Sequence, residues 1–178
     1  MNAMVKTFLK SREAQLVAVM LLMVAAIASR FPGFIAPGNL ASVFNDTSIL
    51  IILAFGQMAV ILTKCIDLSI AANLALCGMA AALLNVAFPD LSLAVILPLT
   101  ILLGAMLGSV NGLLVWKLDI PSIVVTLGTM TIYRGIIFLL TDGAWINAHE
   151  MSDAFKAFPR STLIGLPVLS WFAIATIA

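Results

Sequence analysis

Charge is what this chain has least of. Only 10% of its 178 residues are Asp, Glu, Lys or Arg, while 63% are hydrophobic. Soluble domains carry roughly 25% charged residues, because a globular surface has to be covered with something water tolerates. So few charges cannot cover such a surface, and the chain reads as a polytopic membrane protein. The net charge of +1 supplies no basic field for nucleic acid. The two cysteines, Cys65 and Cys77, have neither metal-site nor disulfide-framework spacing. They read as reduced, packed thiols. The single histidine, His149, has no neighbouring His or Cys, which argues against a metal site. No glycine loop followed by Lys-Ser/Thr is present to cradle a nucleotide. No acid–base pair in a cleft and no nucleophile elbow appears either. The chain is therefore read as no enzyme and as holding no cofactor; any ATP hydrolysis falls to a partner.

What is present is a series of long apolar runs. Lys6, Lys10 and Arg12 precede the first, which is taken as an uncleaved transmembrane helix because no small-residue cleavage site follows and further spans do. Span one covers about Ala14 to Phe31. Pro32, Gly33, Pro37 and Gly38 then break the helix, and 39–44 is expected as a short helix lying at the membrane surface. Span two covers about Thr47 to Leu62, with Gly56 and Gln57 in its middle. Thr63 to Ser69 is a polar interruption. Span three, about Ser69 to Phe88, is rich in small residues, Ala71, Ala72, Ala75, Gly78, Ala80, Ala81 and Ala82, and Pro89-Asp90 is a turn. Span four runs about Leu91 to Trp116 and span five about Pro121 to Leu140. Thr141 to Ser161 is the longest polar segment. A sixth span begins near Thr162 and is still running at Ala178. The expected fold is an all-α, polytopic transmembrane bundle, with residues 1–178 forming a single domain. Lys6, Lys10, Arg12, Lys64 and Lys117 fall on one side and Arg30, Lys156 and Arg160 on the other, which predicts a cytoplasmic N-terminus.

Polar side chains within these runs are the informative ones, because a bilayer tolerates them only where they face protein or water. Gly104, Gly108 and Gly112 recur every fourth residue on span four and predict a face that another backbone approaches closely. Asn111 follows on the adjacent face and needs a partner: an interhelical hydrogen bond or a polar solute. Gln57 poses the same choice in span two. In span five Thr126, Met130 and Arg134 share one face at helical spacing, with Thr129 and Tyr133 beside them. Arg134 either snorkels to the interface or faces a polar path. Asp67 and Ser69 open span three as N-cap-like residues, where a carboxylate suits the positive helix end.

The stretches Lys64-Cys65-Ile66-Asp67-Leu68-Ser69, Gly108-Ser109-Val110-Asn111-Gly112-Leu113-Leu114-Val115 and Ile120-Pro121-Ser122-Ile123-Val124-Val125-Thr126-Leu127-Gly128-Thr129, extended by Leu139 to Ile146, resemble the ribose-type sugar permeases of bacterial ABC importers. That larger family also includes branched-chain amino-acid permeases. Lys64-Cys65 replaces the usual Gly-Gly before Ile-Asp-Leu-Ser. With Tyr133-Arg134-Gly135 and the Trp145 loop, this makes the chain more similar to rhamnose and autoinducer permeases, and the reading leans to rhamnose. The resemblance implies about five to six spans of a roughly ten-span permease. It implies a second permease subunit in a homo- or heterodimer, a cytoplasmic ABC ATPase, a periplasmic sugar-binding protein and an inner-membrane location in a lipid bilayer. It also implies a fragment. The path is expected to be lined or braced by Gln57, Asn111, Thr126, Thr129 and Arg134. An ATP-independent secondary transporter and a non-functional fragment stand as alternatives, and the loop from Thr141 to Ser161 is a candidate dock for the binding protein.

Overall fold

The computed structural model describes residues 12–177. The expected basic cluster therefore lies outside the described residues, apart from Arg12. Among the described residues five helices are long and apolar enough to cross a membrane, and the fold is an all-α, polytopic membrane bundle. Two compact units divide at Thr47/Ser48.

In the first unit, α1 (Arg12–Arg30) carries Glu13 in its first turn and Arg30 in its last, so each charge complements the helix dipole. A 3₁₀ turn over Pro32–Ile35 follows. Pro37 then opens a second helix, α2 (Pro37–Leu62), whose residues from Ser48 onward belong to the second unit. This corrects the expectation of a separate surface helix over 39–44. Pro at the first helical position loses no hydrogen bond, so the Pro37-Gly38 pair starts a 26-residue helix.

In the second unit, α3 (Ile70–Ala87), α4 (Leu93–Leu118) and α5 (Ser122–Thr141) pack on one another. These spans match the expected ones to within two residues. The core is small: Ala72, Leu76 and Tyr133 are buried, with Leu107, Met130, Ile136 and Ile137 against them. Small residues on α3 (Ala72, Ala81, Ala82) let its neighbours approach closely. The Tyr133 hydroxyl donates to the Leu107 carbonyl at 2.8 Å, spending the polar end of a buried ring on the adjacent helix. Outward surfaces remain apolar, as at Ile101, Leu102, Phe138 and Leu139.

Turns at the two ends use left-handed backbone. Lys64, Asp119 and Asp142 have φ of 62°, 53° and 50°. Asp142 ends α5, and the Gly143 amide donates to the Phe138 carbonyl at 3.1 Å. Gly143 has φ of 73°, and a Cβ there would lie 2.8 Å from the Phe138 ring, so both conformation and contact require glycine.

Beyond α5 the polar segment holds a short helix, α6 (Asp153–Ala157), and a 3₁₀ turn over Phe158–Arg160. The sixth span does not begin at Thr162. A hairpin of β1 (Thr162–Leu163) and β2 (Leu166–Pro167) comes first, turning through Ile164-Gly165, both with positive φ. The apolar helix α7 (Val168–Ile177) follows, and the Trp171 indole N–H ties it back to the Leu163 carbonyl at 2.8 Å. Positive φ in both turn residues suits the mirror-type turn that a two-residue hairpin favours.

Candidate functional site

The end of the bundle where α2 and α4 finish and α3 and α5 begin holds a cavity of about 480 Å³. Its walls come from the 63–67 turn, from Gly108, Asn111, Gly112, Val115 and Trp116 of α4, and from Ser122 and Thr126 of α5. Most of this surface is apolar. Of its polar residues, Thr63 bonds only to the Val60 carbonyl of its own turn, while Asp67, Asn111, Ser122 and Thr126 take part in the contacts that join the segments.

Asp67 sits just before α3. Its Oδ1 accepts from the Ser69 amide at 2.7 Å and from the Ser69 hydroxyl at 2.6 Å. The carboxylate therefore serves the helix start, whereas Ser69 makes no side-chain cap bond. Because its hydroxyl proton is committed to Asp67, the Ser69 oxygen is left to accept, and Asn111 Nδ2 donates to it at 2.7 Å. The chain Asn111–Ser69–Asp67 thus links α4 to the first turn of α3. Asn111 is 6% exposed, and its Oδ1 is buried with no hydrogen-bond partner. Such an acceptor costs free energy until something donates to it.

Thr126 completes the group on α5. Its hydroxyl donates to the Ser122 carbonyl of its own helix at 2.8 Å and lies 3.4 Å from the Ile66 carbonyl across the cavity rim. The Ser122 hydroxyl in turn accepts from the Ile66 amide at 3.2 Å. This pins the turn after α2 to the start of α5.

The remaining predicted residues fall elsewhere. Thr129 is buried one turn along α5 and donates to the Thr126 carbonyl at 3.3 Å, so it braces the helix without reaching the cavity. Gln57 is half-buried in α2, outside the cavity lining, with Oε1 buried and unpartnered. Arg134 is exposed near the opposite end of α5, in a separate cleft. Of the three glycines expected to admit a neighbouring backbone, only Gly104 is closely approached. A Cβ there would meet Cys77 Sγ at 3.4 Å and Asn73 Oδ1 at 3.8 Å. Gly108 and Gly112 have nothing within 4 Å of that position and instead border the cavity, where a missing side chain leaves room. No group of three or more His, Cys, Asp or Glu able to hold a metal occurs among the described residues.

Sequence reasoning missed three polar residues of α3 and the loop. Asn73 donates to the Gly104 carbonyl at 3.4 Å and accepts from Cys77 Sγ at 3.2 Å. Asn85, 1% exposed, donates through Nδ2 to Ser152 Oγ and accepts through Oδ1 from the Ser152 amide, both at 2.9 Å. Asparagine in an apolar run was the available signal, and both residues carried it.

The model of the branched-chain amino acid transport system / permease component family matches residues 39–177. The chain belongs to this permease family. Among curated relatives, the autoinducer 2 import system permease protein LsrC of Escherichia coli O157:H7 is 37% identical over 182 residues, covering 98% of this chain and 50% of that protein. The protein of the same name from Klebsiella pneumoniae is 34% identical over 171 residues, covering 96% of this chain and 48% of its own length. That from Photorhabdus luminescens is 40% identical over 136 residues, 76% of this chain and 40% of its own. The permease chain thus spans about half the length of the curated relatives it matches. No solved structure matches it.

Proposed function

We propose that this chain forms part of the membrane-spanning subunit of an ABC importer in the inner membrane, and that the cavity at Asp67, Asn111 and Thr126 belongs to the solute path. The observation that carries this reading is a cavity of about 480 Å³ whose polar groups come from three separate segments, in a chain of the permease family. An acceptor such as Asn111 Oδ1, unpartnered at the junction of two helices, suits a solute rich in hydroxyl donors. The relatives named above are permeases of autoinducer 2 import systems, which favours autoinducer 2 over rhamnose as the solute. The subunit works with a second permease copy or homologue, a cytoplasmic ATPase and a periplasmic binding protein. ATP binding at the partner shifts the balance between inward- and outward-facing forms. The cavity end, with Lys64 and Lys117, faces the cytoplasm. Thr129 braces the path rather than lining it, and Gln57 stands outside it.

Cys65 lines the cavity and Cys77 is buried, so the native thiols provide the test. In membrane vesicles holding the assembled transporter, a water-soluble maleimide labels Cys65 and spares Cys77. ATP changes the Cys65 rate, and autoinducer 2 slows it. Cys65 inert in every nucleotide state removes the path assignment. Protection by rhamnose and not by autoinducer 2 reverses the choice of solute. Uptake that persists without ATP, with the membrane potential intact, replaces the importer with a secondary transporter.

A further inference from the structure

Arg134 is the one charged residue in α5, and it takes no part in the cavity described above. It makes no ion pair among the described residues, where the single salt bridge joins Lys156 to Asp153. Asp142, two turns further on, is thus not its partner. Instead the Arg134 side chain lines a cleft of about 210 Å³ with Ile137, Phe138, Gly143 and Trp145, and no acidic side chain contributes to that lining. Arg134 lies seven residues before the end of α5 at Thr141, about 10 Å along the axis. The cleft residues beyond it lie towards that end, so its side chain reaches from the apolar span towards the membrane–water boundary. Trp145 is 85% exposed just past the helix end, where tryptophans mark such boundaries.

A guanidinium at that boundary meets lipid headgroups, and with no carboxylate in the cleft lining an anion from there pairs with it. Its planar fork of donors matches the oxygens of a phosphate. The apolar walls at Ile137 and Phe138 accept what a lipid carries below its phosphate. We propose that Arg134 and the Trp145 cleft bind a phosphate oxyanion, presented as the headgroup of an anionic phospholipid. The solute path plays no part in this assignment, and either can fail alone.

The test places the full chain in mixed micelles with equal phosphatidylglycerol and phosphatidylcholine and reads bound lipid by native mass spectrometry. Both lipids carry the phosphate, but the choline cation offsets its charge beside Arg134, so the wild-type chain retains phosphatidylglycerol over phosphatidylcholine by about tenfold. Arg134→Gln abolishes the preference, and Arg134→Lys, which keeps the charge and loses the fork, keeps part of it. Trp145→Ala, which lies outside the span and leaves folding intact, weakens it. Equal retention of the two lipids by the wild-type chain overturns the site. So does a folded Arg134→Gln chain that keeps the preference. Inorganic phosphate retained in place of the lipid overturns the headgroup assignment and leaves a free-phosphate site.

Discussion

Both ends of α3 are held by an asparagine meeting a serine, and the two junctions differ in one respect. At the far end, Asn85 and Ser152 exchange two hydrogen bonds, so both polar atoms of the amide are satisfied. At the cavity end, Asn111 gives one bond to Ser69 and keeps an unpartnered Oδ1. A closed pair has nothing further to gain, so it serves as an anchor. An open pair has an acceptor to spare beside an empty volume, and there a solute or a change of state gains most. The difference separates a fixed end of the helix from a responsive one.

Breaking the closed junction has the larger effect on stability. Asn85→Ala removes two part-buried hydrogen bonds and strands the Ser152 amide, a loss of about 2 kcal/mol. Thermal unfolding in detergent falls accordingly, and cleavage within residues 141–161 by added protease speeds up. Unchanged cleavage sinks the anchor. Asn111→Ala costs less, about 1 kcal/mol or below, because it removes one bond and an unsatisfied acceptor together. Its mark is functional: solute protection of Cys65 disappears while the unfolding temperature barely moves. If Asn111→Ala destabilises as much as Asn85→Ala, the two junctions are alike and the comparison fails.

The smallest effect concerns the loop that the anchor holds. A hydrogen bond from Lys156 and its charge hold the Asp153 carboxyl below the usual carboxylate range, and the Asn147 amide does the same for Glu150. A carboxyl with a lowered folded pKa adds stability that is complete above its unfolded value, about pH 4, and fades as pH falls through the folded value. Both groups are fully exposed, so water screens them. Amide protection factors over residues 147–156, taken against the intrinsic rate at each pH, therefore fall modestly as pH drops below about 4, and Asn85→Ala enlarges that fall. A loop equally protected at both pH values leaves these contacts without a role.

The spans were legible because hydrophobic run length is a local property, and α3, α4 and α5 announce themselves. Pro37-Gly38 misled because the same residues that stop one helix open another, and only the chain's path decides which. Asn111 was legible as a residue needing a partner, but Ser69 lies 42 positions away and no periodicity links them. The Asn85–Ser152 pair, 67 positions apart, was hidden for the same reason. Arg134 could be seen as a charge inside an apolar run. That it stands apart from Asn111 and Thr126 depends on where along α5 the cavity closes, which spacing alone does not say.

Helix lengths carry one more consequence. α4 has 26 residues and its packed neighbour α3 has 18, about 39 Å against about 27 Å. A hydrocarbon slab of about 30 Å fits the shorter rod upright, whereas the longer one must lean or protrude. Its surplus of about two turns ends at Trp116-Lys117-Leu118, where Trp116 is 80% exposed. Where it protrudes, the overhang sets Trp116 and Lys117 at the headgroup layer, the depth both side chains favour.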